Sequence, residues 1–165
     1  MYEREGKLPA YTMSHVICTS ALIALIFLMQ FSFMSVADNM KTEMIRRELK
    51  EISDYVSDSL ANLYFLANST DYSNVTLEKA LSLPSDVQDL TYDLSLYYNA
   101  TTLDALSVNT SITGSLQAKA TSWLLPSVKV DPNATKTIAS GDKTIVAGCR
   151  RAGADSNVYV WIAYK

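Results

Sequence analysis

Val16-Ile17-Cys18-Thr19-Ser20-Ala21-Leu22-Ile23-Ala24-Leu25-Ile26-Phe27-Leu28-Met29 is the stretch that decides how the rest of the chain is read. It sits inside a longer segment, Leu8 to Ala37, that contains no Asp, Glu, Lys or Arg. With its flanks the apolar core gives about 20–24 residues, enough for a helix to cross a ~30 Å hydrocarbon layer. In lipid such a stretch must be helical, because no water is present to satisfy its backbone. Tyr11 stands where an interfacial aromatic belongs. Ser35-Val36-Ala37 offers small residues for a signal-peptide cleavage after Ala37. The apolar region, however, exceeds the ~7–15 residues of a secretory core. The expectation is a retained transmembrane helix over residues 14–37, with 1–13 as a leader or cytoplasmic tail.

From Asp38 the chain becomes charged and keeps a helical period. Ile45, Leu49, Ile52, Val56, Leu63 and Leu66 recur four and three apart, with Ser59 occupying one seam position and Leu60 beside it. That is a narrow helix-packing seam with a repeat of about 3.5 residues. Glu43–Arg47, Arg47–Glu51 and Lys50–Asp54 are opposite charges spaced four apart on the remaining faces. Pro84 is the only Pro or Gly between Ala10 and Gly114, so nothing signals a stop between the apolar and amphipathic parts. One continuous helix is expected from about Ser14 to Ala67, roughly 80 Å long at ~1.5 Å per residue, with 38–67 as its amphipathic extension. Asn68-Ser69-Thr70-Asp71-Tyr72-Ser73-Asn74 reads as the turn that ends it.

Beyond the helix, residues 68–165 read as a β-rich domain. Thr76 to Leu81 is the exception and predicts a short helix capped by Thr76 and stopped before Pro84. Leu90 to Tyr98 alternates apolar and polar residues as a half-buried strand does. Ile112 to Thr121 alternates in the same way and predicts a second strand. Thr144 to Ala147 follows the turn Ser140-Gly141-Asp142-Lys143, with Thr135 to Ala139 as its expected hairpin partner. Asn157 to Tyr164 has two apolar faces and is expected to be central or covered on both sides. The later strands lack helix-length crossovers, which favours antiparallel pairing. The fold class expected is α+β: a long N-terminal helix, half membrane-spanning and half amphipathic, followed by a small, mostly antiparallel β-domain.

Five N-x-[ST] sequons mark the same region, at Asn68, Asn74, Asn99, Asn109 and Asn133. With eight Asn and one residue in five Ser or Thr, about 1.6 are expected by chance. The excess predicts a glycosylated outer face, with the sequons at loops or strand ends. The distribution of basic residues points the other way. Lys41, Arg46, Arg47 and Lys50 follow the apolar segment and only Arg4 and Lys7 precede it, which by the positive-inside bias puts the C-terminal side in the cytoplasm. Because those basic residues interleave with acids, the sequons are taken to set the orientation: a cell-surface, single-pass protein with its C-terminal domain outside.

The sequence offers little for chemistry. Its net charge of −3 excludes binding nucleic acid by bulk charge. Cys18 and Cys149, one in the apolar segment and one in the β-domain, are not expected to pair, and Cys149 reads as a small buried residue. His15, at the entrance to the apolar segment, has no partner cluster. Asp86, Asp89 and Asp93 fit no EF-hand spacing and read as a solvated face. Arg150-Arg151 reads as a surface pair. No phosphate loop, metal spacing or nucleophile motif occurs. No catalytic residue, cofactor, metal or small-molecule substrate is expected, and the protein is not expected to be an enzyme.

The order of parts, with Met13-Ser14-His15-Val16-Ile17 at the start of the apolar helix, resembles the archaeal type IV pilin and archaellin superfamily. Ser-x-Val-Ile near the mature N-terminus is similar to many of its members, and dense sequons fit such surface filaments. Bacterial pilins carry a glutamate early in this helix. Here none lies between Glu5 and Glu43, so the resemblance is to the archaeal branch. It implies a filament subunit that polymerises through its hydrophobic helix, with the membrane lipid around residues 14–37 before assembly and other copies of itself afterwards. It also implies peptidase processing, with Gly6 after Arg4-Glu5 and Ala10 before Tyr11 as candidate sites. The alternative is a permanently anchored surface component: a binding domain on a helical stalk, or an accessory, stator-like part of a pilus or archaellum machine.

Overall fold

The computed structural model describes residues 7–70, 72, 74–99, 105–113, 118–126, 128–132, 134–141, 143–151 and 157–165. It is α+β: one long helix followed by two four-stranded sheets. The chain divides into two compact units, one ending at Lys41 and the other comprising Thr42–Lys165. Helix α1, Lys7–Ser69, contributes its first part to the first unit and its last to the second. It begins before Ser14, since Pro9 lies in its first turn, where a missing N–H costs nothing. It stops two residues past the expected end. The Ser69 hydroxyl donates to Leu66 O at 3.0 Å and the Thr70 hydroxyl to Ala67 O at 2.9 Å. Arg151 Nη1 donates to Thr70 O at 2.8 Å. The terminal carbonyls that a helix leaves open are thus partly satisfied by the predicted turn cluster.

In the second unit, β1 (Val75–Leu81), β7 (Ile145–Arg151), β8 (Val158–Tyr164) and β5 (Lys129–Val130) form one sheet in the order β1-β7-β8-β5. The other sheet runs β4-β3-β2-β6, from β4 (Lys119–Pro126), β3 (Ala105–Ile112), β2 (Tyr92–Asn99) and β6 (Thr137–Ala139). Every pairing is antiparallel except β5 with β8. The core draws on all three layers. Val56, Leu60, Leu63 and Ala67 of α1 pack with Leu94 and Leu96 of β2, Leu106 and Val108 of β3, Ala147 and Cys149 of β7, and Val160 and Ile162 of β8. A second cluster joins Ile45, Leu49 and Ile52 to Val87, Tyr92, Ile112, Ala118 and Ala120.

Several expectations are corrected. Thr76–Leu81 is strand β1, not a helix. Its Leu, Glu, Lys and Ala favour a helix weakly, whereas seven paired positions along β7 fix it as a strand. The expected strand over 112–121 does not exist as one element, because Ile112 ends β3 and Lys119 begins β4. The alternation there continues across two strands in register, Ser111 opposite Lys119 and Thr110 opposite Ala120. Thr137–Ala139 is not the hairpin partner of β7, since it pairs with β2 in the other sheet. β8 is central between β7 and β5 as expected. One face, Val158, Val160 and Ile162, is buried, and the other is half-exposed.

The seam also needs one correction. Ile45, Leu49, Ile52, Val56 and Leu63 are buried, but Leu66 is 56% exposed, while Leu60 and Ala67 are completely buried. A straight α-helix advances about 100° per residue, so a strict 3.5 repeat drifts by ~20° every seven residues. By the last turn Leu66 stands about 90° from the centre of the buried face, and Ala67 lies close to it. The helix keeps its own 3.6 period because it packs on sheets, where no partner helix rewards supercoiling.

Polar side chains fasten the helix to the sheets. Ser53 donates to Val108 O at 2.7 Å, and Thr110 donates to Leu49 O at 2.9 Å. Ser57 donates to Trp123 O at 3.0 Å and Lys50 Nζ to Thr121 O at 2.9 Å. The last two acceptors belong to β4, an edge strand, so α1 closes an edge that would otherwise invite pairing with another chain. On the other sheet Lys79 of edge strand β1 reaches Ser59 Oγ at 3.1 Å and lies 5.3 Å from the Tyr55 ring centre.

Candidate functional site

The feature that fold formation leaves unused is the first part of α1. Every residue from Met13 to Lys41 is exposed. Ile17, Leu28, Phe31 and Phe33 are 65–69% exposed, and Leu22, Leu25, Ile26, Phe27 and Met29 all exceed 50%. Monomeric soluble proteins rarely show contiguous apolar patches above a few hundred Å². Here the apolar surface surrounds the helix on all sides over more than five turns. Such a helix needs an apolar environment, either lipid or other protein. By length and composition it is sufficient to cross a membrane, with mean hydropathy 2.2 in its most apolar 18 residues. Two of its hydroxyls are already satisfied locally. Thr19 Oγ1 donates to His15 O at 2.9 Å, and Ser20 Oγ donates to Ile17 O at 2.9 Å. A polar side chain bonded to its own helix enters hydrocarbon without an unmet donor.

The sequons are dispersed over the chain. Asn68 is exposed in the last turn of α1, and Asn74 is exposed just before β1. Asn99 ends β2, and Asn133 lies outside the described residues. Asn109 departs from the expected placement at a loop or strand end, because it lies within β3, paired with Ser95 and Thr121 on either side. Its Oδ1 is buried and accepts no hydrogen bond, and the neighbouring Thr110 is fully buried. Of the processing candidates, Gly6 lies outside the described residues and Ala10 falls in the first turns of α1.

Nothing among the described residues gathers three His, Cys, Asp or Glu side chains into a metal-binding group. Cys149 is fully buried and free, and burial pushes its thiol from 9.0 up to about 11. Tyr92, also fully buried, donates its hydroxyl to Pro84 O at 2.8 Å. Burial and the Asp86 charge push it from 10.0 up to about 12. Burial raises the Asp54 carboxyl, but hydrogen bonds to Lys50 and Ser122 and the Lys50 charge outweigh it, leaving a net lowering. Asp86 and Asp89 are exposed at the turn Val87–Leu90, where Gln88 and Asp89 have φ of 53° and 61°. Asp89 is therefore in a turn ahead of β2, exposed as a solvated face requires. The Arg150-Arg151 pair is structural: Arg150 meets Asp131 at 2.9 Å, and Arg151 holds the end of α1.

No family model, curated protein or solved structure matches the chain. The long apolar helix and the small β-domain are thus the features from which a role must be read. Sequence reasoning found the apolar surface. It missed the cleft formed by Arg46, Arg47, Lys50 and Lys119, because the last of these comes from a strand about 70 residues downstream of the other three and no local pattern links them.

Proposed function

We propose that this chain is a structural subunit of an extracellular filament of the archaeal type IV pilus kind. The observation that carries this reading is the helix itself, which has one stretch buried in the β-domain's core and another with no residue buried. No Pro or Gly interrupts the helix after Pro9. Before assembly the apolar part rests in the bilayer. On assembly it leaves lipid and packs against the same segment of other copies. In such contacts packing and small residues, here Ser20, Ala21 and Ala24, take over from the hydrophobic effect. The β-domains face the medium and carry glycans at exposed sequons, Asn68 and Asn74 among them. The role is mechanical, and no reaction is assigned to it.

The test is intact mass and N-terminal sequencing of the protein from cell membranes and from material sheared off cells. A filament subunit appears in the sheared fraction with its N-terminus shortened near Gly6 or Ala10 and with glycan mass on the asparagines. A chain that starts at Met1 and stays in the membrane refutes the filament and identifies a fixed anchor. Absence of glycan in that chain would reverse the orientation drawn from the sequons.

A further inference from the structure

Between α1 and the start of β4 lies a cleft of about 420 Å³, lined by Glu43, Arg46, Arg47, Lys50, Glu51 and Lys119. Four cations face two carboxylates there. Glu43 is shared by Arg46 at 3.2 Å and Arg47 at 3.9 Å. Lys50 is committed to Asp54 at 2.6 Å and to Thr121 O. Against these four cations stand Glu43, Glu51 and Asp54, so the cleft keeps a surplus of one positive charge, displayed by Arg47, 77% exposed, and by Lys119, exposed on β4. On the other flank of the helix, Glu48 accepts a hydrogen bond from Gln88 Nε2 at 2.8 Å, which places the turn carrying exposed Asp86 and Asp89 there. At about 100° per residue, Arg46 and Lys50 lie about 160° around the helix from Glu48 and Arg47 about 100°, so the cleft opens on a different side from the acidic turn at nearly the same level.

We propose that this cleft receives the acidic Asp86–Asp89 turn of a second copy of the chain. The inference rests on the filament reading and gives it a lateral contact outside the apolar helix. The two flanks face different sides of the helix, so one neighbour can take the turn while another fills the cleft. Each copy thus offers its acidic flank to one neighbour and its basic cleft to another. A head-to-tail contact of this kind repeats along a polymer. Complementary charge also fixes register and suppresses wrong pairings.

The test uses charge reversal in the full-length chain, read as the amount of filament in the sheared fraction. One variant carries Asp86→Lys with Asp89→Asn, because Asn tolerates the positive φ at that position. The other carries Arg47→Glu with Lys119→Glu. Circular dichroism and the amount in the membrane fraction report that each variant folds and inserts. Each alone is expected to lose at least about tenfold in filament, as like charges then face each other across the contact. The chain carrying all four changes should recover, because both halves are reversed together. Co-expression of the two variants should also recover, by alternating. Wild-type filament levels in either folded variant overturn the proposal while leaving the filament reading intact, and so does failure of the fully reversed chain to recover when it is folded. Absence of filament from the wild-type chain overturns both.

Discussion

Leu60 and Leu66 separate two readings of the same helix. A heptad seam buries Leu66, whereas the structure buries Leu60 completely and leaves Leu66 56% exposed. Truncating a buried Leu to Ala removes its transfer free energy and leaves a cavity, about 2–5 kcal/mol together. Leu60 belongs to the cluster that joins α1 to both sheets, so Leu60→Ala should cost ~3 kcal/mol. Leu66→Ala removes a half-solvated side chain and should cost under ~1 kcal/mol. The Thr42–Lys165 unit lies between the sizes for which 1 kcal/mol shifts Tm by ~2–4 °C and ~4–8 °C. The first variant should therefore melt roughly 9–15 °C lower and the second within ~4 °C of wild type. The assay is thermal unfolding of the full chain in detergent micelles, where assembly is absent, followed by near-ultraviolet circular dichroism. Equal shifts, or a larger shift for Leu66→Ala, would refute the packing described for the helix.

Other expectations follow from single contacts. Thr110→Val and Ser53→Ala each remove a buried hydroxyl bond between helix and β3, so each should lower the unfolding free energy by ~1 kcal/mol in urea titrations. No loss in either would argue that these bonds do not hold the helix. Gly148→Ala places a methyl inside the space of the Trp161 indole, which must lift away at a cost of ~1–3 kcal/mol. In a Trp123→Phe background its emission should shift to the red. In a Cys18→Ser background, Cys149 should resist alkylation at pH 8 until the chain is unfolded, given its burial and a thiol pushed up to about 11. Folding favours the neutral forms of Cys149 and Tyr92. Their contribution is complete below pH 9 and is lost from pH 9 to about 11 for the thiol and from 10 to about 12 for the phenol. The urea midpoint should thus fall between pH 8 and 10.5, and Cys149→Ala should flatten the first part of that fall.

What the sequence discloses depends on the range over which each signal acts. The long helix is legible because its cause is local: thirty uncharged residues followed by a clear period, without Pro or Gly after Pro9. The strand β2 is legible from the alternation of Tyr92, Leu94 and Leu96, all buried. Leu66 is misread because a 3.5 and a 3.6 repeat differ only after several turns. Thr76–Leu81 is misread because local propensity yields to pairing with a strand 70 residues away. The error at 112–121 is similar, as paired antiparallel strands share one alternation, with Ile112 of β3 and Ala120 of β4 both buried. The candidate site divides in the same way. The apolar surface of α1 was visible in the composition of one segment. The basic cleft joins Arg46 and Arg47 to Lys119 and exists only once β4 has docked along the helix.

The most direct test of the central claim is an electron cryo-microscopy map of material sheared from cells that produce this chain. The account predicts filaments of this protein in which residues 13–40 of neighbouring copies pack against one another, with the β-domains facing the medium. Sheared material devoid of the chain, or filaments in which those residues make no contact between copies, would contradict it.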